Sequence, residues 1–213
     1  HNVNLEYADK KPQGNYYCGV GGNNISSTER KCIEEIICCA MSAELSITGM
    51  NVEVAPSQWE IQVCAEGIQA ADQIMLLRYI MSRIAEKYNL YINIEPKPLK
   101  GEWNGSGCHV NFSTLSMRKE NGYINIQNAI DNLKEKHTYH ISHYGIGNKE
   151  RLSGKYETAG WENFTFGVAD RGASIRIPSV TFLNKCGYFE DRRPSSNMNP
   201  YVVCPLIFST SCG

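Results

Sequence analysis

The chain has 213 residues, 42% of them apolar, enough for one large domain or two small ones with a sizeable core. Lys and Arg total 21 against 22 for Asp and Glu, a formal net charge of -1, so composition offers no electrostatic footprint for nucleic acid or a membrane surface. The longest apolar run, Ile36–Met41, is far too short to span a bilayer. The nine cysteines are odd in number, scattered and free of any C-x-x-C pair, and are expected to be reduced thiols in a reducing compartment. The sequence opens on His1 without Met or a signal pattern and closes on the apolar run 204–213, which shows no closing element. A piece of a longer protein is therefore expected.

In chain order, residues 27–45 are expected as an amphipathic helix. Ile33, Ile36, Ile37, Ala40 and Met41 form one stripe, and Ser26 and Glu29 make a capping box. "NVEVA" (51–55) and "WEIQV" (59–63) alternate as strands, followed by a helix over 70–90 and a strand over 91–96. "CHVNFS" (108–113) alternates next, then a helix spans 124–141, then "ASIRIP" (173–178) and "GYFEDR" (187–192) alternate again. This mixture predicts an α+β or α/β domain with helices covering one face of a sheet.

The strands share a habit of placing apolar residues on one face and polar ones on the other. Glu53, Glu60 with Gln62, the trio His109, Asn111 and Ser113, Arg176 with Ser174, and Tyr188, Glu190 and Arg192 all fall on polar faces. A sheet curved around that face makes a charged funnel. If Pro56–Ser57 forms a two-residue turn, Glu53 sits directly across from Glu60, an opposition that destabilises a sheet. Either a divalent cation offsets it or the two carboxylates point apart into water. Glutamate with His109 suits Mg²⁺ or Mn²⁺ better than zinc. Arg171 and Arg176, five apart, are either a bidentate clamp for phosphate or a solvated surface pair. Glu190 beside Arg192 and Arg193 is either part of a site or a local ion-pair network. No P-loop, Rossmann fingerprint or kinase loop is present, and carboxylates, arginines and a glycine-rich turn point to metal-assisted phosphoryl transfer.

Four motifs in order, "NVEVAPSQWE", "GEWNGSGCHVNFST", "GVADRGASIRIP" and "GYFEDRRPSSNMNPYVV", resemble glutamine synthetase, and "NYYCGVG" resembles its eukaryotic type. The likeness runs from about Gly14 to Val203. It implies an α+β catalytic domain over residues 1–213, with an antiparallel sheet curved into a half-funnel and backed by helices. It implies ligation of ammonia to glutamate with ATP, through a γ-glutamyl phosphate. By motif, Glu53 and Glu60 bind Mg²⁺ or Mn²⁺ near the glutamate side, and Glu60 also borders the ATP. His109 and Glu190 bind the metal near the ATP phosphates, while Asn111, Ser113 and Tyr188 contact the nucleotide. Arg171 and Arg176 hold phosphoryl oxygens, and Arg171 also borders glutamate. Arg151 and Arg192 hold glutamate carboxylates with Trp103 nearby, and Glu157 is the flap residue that shields the intermediate and takes a proton from ammonium. A homo-oligomeric ring in the cytoplasm, with no nucleic acid or membrane partner, is implied for the full-length protein.

The sequence also departs from that pattern. The family's N-terminal β-grasp domain and the strand that completes its metal sites have no counterpart here, so the 213-residue chain alone is expected to be inactive. Tyr156 stands where a histidine usually precedes the flap glutamate, and Asp170 where an asparagine precedes Arg171. The 63–67 segment is one residue short, and Glu102 adds a charge before Trp103. A glutamate–amine ligase of the same family and a non-catalytic paralogue stand as alternatives.

Overall fold

A computed structural model describes Pro12 and residues 27–213, which fall into two compact units. Of the described residues, Pro12, 27–93 and Leu99–Asn104 make the first unit, and Ile94–Pro98 with Gly105–Gly213 make the second. The expected capping box involves Ser26 and lies outside the described residues.

In the first unit, helix α1 (Ser27–Ser42) buries Cys32, Ile33, Ile36 and Ala40, residues spaced so that they share one face. Ile37 is only partly buried, and Met41, expected on the same stripe, is exposed. Strands β1 (Ile47–Val52) and β2 (Trp59–Val63) form an antiparallel hairpin against α1 and the longer helix α2 (Ile68–Lys87). α2 ends in a left-handed cap. Asn89 has φ 54°, and the Leu90 N–H reaches back to the Ala85 carbonyl.

The hairpin register differs from expectation. Val52 pairs with Trp59 and Asn51 with Glu60, while the Glu53 N–H donates to the Gln58 carbonyl at 2.8 Å. Glu53 therefore faces Gln58, and Glu60 faces Asn51. The cause is the turn. Ala55–Gln58 closes with Pro56 second and Ser57 third at φ 57°, an unprimed arrangement that splays the strands, so pairing resumes two residues farther down. A shift of two keeps both glutamates on one face but removes the direct opposition that had called for a cation.

The second unit carries a four-stranded sheet in the order β3 (Val110–Phe112), β6 (Phe189–Asp191), β5 (Ile175–Ile177), β4 (Phe166–Val168). The sheet is mixed rather than wholly antiparallel, because β4 and β5 run parallel. The strands are three residues long, so the short loop 169–174 can return the chain over roughly 10 Å. Behind the sheet, helix α4 (Tyr123–Glu135) buries Ile126, Ala129, Ile130 and Leu133, and helix α8 (Pro200–Cys212) buries Val203 and Ile207. They meet Ile175, Ile177 and Phe189 in one core. Short helices α3 (Leu115–Arg118), α5 (His137–Ser142), α6 (Asn148–Arg151) and α7 (Ser179–Asn184) fill the connections.

Three further expectations change. The helix expected over 124–141 divides at Lys136 into α4 and α5, and the rings of His137 and His140 in α5 are tied to other elements. The segment 91–96 is not a strand. Its end, Ile94–Pro98, is an arm pinned by Ser106 N–H to the Pro96 carbonyl and Ser196 Oγ to the Ile94 carbonyl. The terminal apolar run belongs to α8, which Asn199 caps by accepting from the Tyr201 N–H at 3.0 Å, with Pro200 in the first turn. The eight cysteines among the described residues are free thiols.

Beneath β6 lies a buried polar network. Arg193 pairs with Asp191 at 2.7 Å, both side chains being essentially without exposure, and its guanidinium lies over the Tyr144 and Phe164 rings. The hydrogen bonds have fixed directions. Arg193 Nη1 donates to His137 Nδ1, so His137 Nε2–H donates to the Trp161 carbonyl. Tyr144 OH donates to Asp191, so His140 Nδ1–H donates to Tyr144 and His140 Nε2 accepts from Thr210. Burial, then the Arg193 charge, push the His140 pKa down to about 4. Between pH about 6.5 and 4 the unfolded chain thus binds a proton that the folded one refuses, and stability present above pH 6.5 falls by about 3 kcal/mol as pH drops to 4. Urea unfolding across that range is expected to show this slope, and His140→Gln to lower stability at pH 7 while flattening it.

Candidate active site

The face of the sheet turned away from α4 and α8 is built by register. Asn111 pairs with Glu190, Glu190 with Arg176, and Arg176 with Gly167, so these four positions form one row across all four strands. Apolar neighbours of the row, Ile175, Ile177 and Phe189, point into the core. Strand alternation alone therefore places a carboxylate and a guanidinium side by side on the open face.

Glu190 is the hub, with its side chain 6% exposed. Its Oε1 lies 3.1 Å from His109 Nδ1 and accepts from Arg192 Nη1 at 3.1 Å, while Oε2 accepts from Arg176 Nε. Burial pushes the carboxyl up, but the His109 hydrogen bond and the Arg192 and Arg176 charges outweigh it and bring the pKa down to about 2. Lost hydration and the Arg192 charge hold the His109 imidazole below its ordinary pKa. A neutral ring that donates through Nδ1 keeps its lone pair on Nε2.

Beside the hub, Arg192 Nε donates to the Arg171 carbonyl at 3.1 Å, and Arg192 Nη2 to the Glu157 carbonyl at 3.4 Å. Arg171, itself exposed, lies 3.7 Å from the Glu157 carboxylate. Glu157 rides a loop stitched at its base by the Ser153–Gly160 bridge and by Trp161 N–H to the Leu152 carbonyl. At its tip Tyr156 and Glu157 both adopt left-handed backbone, φ 55° and 62°, at a cost of about 1–2 kcal/mol each. Asp170, the residue that departs from the family pattern, accepts the Gly172 N–H at 2.8 Å and so closes the turn carrying Arg171, a bond an asparagine oxygen makes equally well.

Arg151 is 4% exposed and clamps the chain after β6. Its Nη2 donates to the carbonyls of Arg192, Arg193 and Pro194 at 2.7–3.1 Å, and its Nε to Asn148 Oδ1. Burial, then Arg192, bring its pKa down to about 10. The glycines of "GSGCHVNFS" explain themselves here. A Cβ on Gly105 would stand 2.4 Å from Arg151 Cγ and 2.5 Å from the Pro96 carbonyl oxygen, and one on Gly107 would stand 2.6 Å from His109 Nε2.

Ser113 Oγ accepts from Arg118 at 2.8 Å, Asn111 is exposed, and Tyr188 is 37% exposed. Glu53, Glu60 and Trp103 belong to the first unit. Glu53 accepts from Asn51 Nδ2 at 3.0 Å, Glu60 from Gln62 Nε2 at 2.6 Å, and Trp103 is buried with Ala55 and Leu99. The second unit thus brings together His109, Glu157, Arg171, Arg176, Glu190 and Arg192. Among the described residues no group of three or more His, Cys, Asp or Glu side chains is arranged to hold a metal ion. The donor chemistry of His109 and Glu190, an imidazole nitrogen lone pair beside a hard carboxylate, nonetheless fits a divalent cation. Sequence reading passed over the clamp role of Arg151 and the arm carrying Lys97. The only trace of the arm was the Pro-Lys-Pro spacing.

Fold and face together define an α+β domain with a carboxylate–arginine sheet face. The family model described as "Glutamine synthetase, catalytic domain" matches residues 4–142, and the chain belongs to that family. It is 48% identical over 211 residues to a putative glutamine synthetase of Acanthamoeba polyphaga mimivirus, covering 99% of this chain and 59% of that protein. It is also 48% identical to glutamine synthetase of Kluyveromyces lactis (95% of this chain, 54% of that protein) and to a cytosolic isozyme of Pinus sylvestris (94% and 56%). The chain spans just over half the length of these relatives.

Two outcomes follow from the geometry. Glu190→Gln leaves Arg176 and Arg192 without their counter-charge and is expected to cost about 3 kcal/mol in urea unfolding at pH 7. The wild-type contribution is full above pH about 4.5 and disappears as pH falls toward 2, so the difference between the two proteins should vanish there. Gly105→Ala forces a methyl against a backbone oxygen and is expected to cost about 2 kcal/mol by the same measurement.

Proposed function

We propose that this chain supplies the reaction face of a glutamate–ammonia ligase, and that the full-length protein makes glutamine from glutamate, ammonia and ATP. The observation that carries the reading is the row Asn111–Glu190–Arg176, with His109 and Arg192 on the same carboxylate and the Glu157–Arg171 pair beside it. Arg171 and Arg176 hold the γ-phosphoryl oxygens as a glutamate side-chain oxygen attacks phosphorus and ADP leaves. Arg192 and the Nη1 end of Arg151 hold glutamate carboxylates. Asn111, Ser113 and Tyr188 border the nucleotide. Glu157 takes a proton from ammonium. The ammonia nitrogen then bonds to the acyl carbon, the bond from that carbon to the phosphate oxygen breaks, and the departing phosphate takes the nitrogen's surplus proton, with water kept out by the Glu157 loop.

His109 and Glu190, and separately Glu53 and Glu60, are the residues that would hold Mg²⁺ or Mn²⁺. Bound there, the cation neutralises phosphate charge. We place the protein in the cytoplasm, following the name of the pine cytosolic isozyme, and as a homo-oligomeric ring. The 213-residue chain alone, with just over half the length of its relatives, is expected not to turn over.

The test is glutamine formation by the full-length protein with ATP, glutamate, ammonium and Mg²⁺ or Mn²⁺. Glutamine is expected, with Glu157→Ala lowering its rate about a hundredfold. No glutamine with either metal, or an unchanged rate in the variant, overturns the reading. A panel of primary amines in place of ammonium identifies the acceptor.

A further inference from the structure

The Glu157 loop carries two adjacent left-handed residues at its tip, Tyr156 and Glu157. Its base is well bonded: Thr158 Oγ1 donates toward the Arg151 and Lys155 carbonyls, and the Lys155 N–H donates to Ser153 Oγ. Among the contacts of the two left-handed residues, Tyr156 and Glu157, are the 3.4 Å bond from Arg192 to the Glu157 carbonyl and the 3.7 Å approach of Arg171 to its carboxylate. The Tyr156 ring is also met from a distant part of the chain by the half-buried Lys97.

Lys97 sits on a rigid mount. Pro96 and Pro98 fix their own φ, and each holds the residue before it extended, so Glu95 and Lys97 have little backbone freedom. The arm is tied at Pro96 by Ser106 and at Ile94 by Ser196. Burial lowers the Lys97 pKa, which marks an ammonium partly stripped of water, the condition in which a cation over an aromatic face gains most.

We propose that Lys97 is a positioning residue: its ammonium, 5.0 Å from the centroid of the Tyr156 ring, holds the left-handed pair Tyr156–Glu157 and so fixes where the Glu157 carboxylate stands. The inference rests on the reading of Glu157 as proton acceptor and water shield. A loosened tip lets water reach the acyl phosphate. Water oxygen bonds to phosphorus or the acyl carbon, the acyl–phosphate link breaks, and glutamate and inorganic phosphate are regenerated without glutamine. The signature is phosphate released in excess of glutamine formed.

The experiment uses the full-length protein with Lys97→Met, Lys97→Arg, Tyr156→Leu, Tyr156→Phe and the double variant Lys97→Met/Tyr156→Leu. Lys97→Met and Tyr156→Leu are expected to raise phosphate released per glutamine about twofold to fivefold, the scale of one cation–π contact. Glutamate KM should stay unchanged and the double variant should be no worse than either single one. Lys97→Arg keeps the cation and Tyr156→Phe the ring, so both should match wild type. Additive effects in the double variant, or no rescue by Lys97→Arg, overturn the proposal. Hydrogen exchange over 153–160 supplies a readout independent of catalysis. It should speed up in Lys97→Met and Tyr156→Leu, confined to that loop, and not in the conservative variants. If wild type makes no glutamine, the ligase reading fails and the exchange result decides the latch by itself. Unchanged exchange in Lys97→Met then overturns it.

Discussion

The ion pair between Asp191 and Arg193 sits where water does not reach, and the second unit is arranged around keeping it satisfied. Two opposite charges taken out of water are tolerated only when their remaining donors and acceptors are met. Asp191 is met by Tyr144 and by the Arg193 backbone, and Arg193 by His137 and two aromatic faces. Those partners come from α5, the segment after it, Phe164 just before β4 and the backbone just after β6, and His140 extends the chain of bonds to Thr210 on α8. The network thus ties the helices to β6 by bonds with only one workable set of directions.

That constraint reaches the open face through strand geometry. With Asp191 held inward, its neighbours Glu190 and Arg192 turn outward, and the Arg151 clamp on the carbonyls of 192–194 fixes the exit of the strand. Glu190 is itself poor in water, and its charge survives because His109, Arg176 and Arg192 converge on it. The core pair and the surface cluster are therefore two sides of one short strand. Disturbing the hidden side moves the exposed one.

Much of this was legible in the sequence because period two is a local signal. Alternation in "ASIRIP" and "GYFEDR" put Arg176 and Glu190 on one face, and β5 and β6 bear it out. Alternation does not report where pairing begins, so the hairpin register came out two residues off, the difference lying in the backbone of Pro56–Ser57. The helix over 124–141 was visible but its break was not, because the bonds of His137 and His140 run to Trp161, Arg193 and Thr210 far along the chain. α8 was missed for the opposite reason. It is apolar nearly all round, so it has no stripe to betray it. Of the buried network only Arg193 was marked, as part of a local ion-pair cluster, since Tyr144, His137 and His140 are unremarkable until the fold brings them together.

The Ile94–Pro98 arm also bears on the order in which the protein is made. Synthesis runs from the N-terminus, and domains generally fold as units as they emerge. The first unit does not close in sequence order: Ala55 waits for Leu99 and Trp103, which come only after the arm has been made. The arm waits longer still, because the Ser196 hydroxyl that binds its Ile94 carbonyl emerges 102 residues later. During that interval the arm can take the Ser106 N–H on its Pro96 carbonyl but not the Ser196 hydroxyl on its Ile94 carbonyl. The two prolines keep it extended while the ribosome completes β6 and the turn after it that carries Ser196.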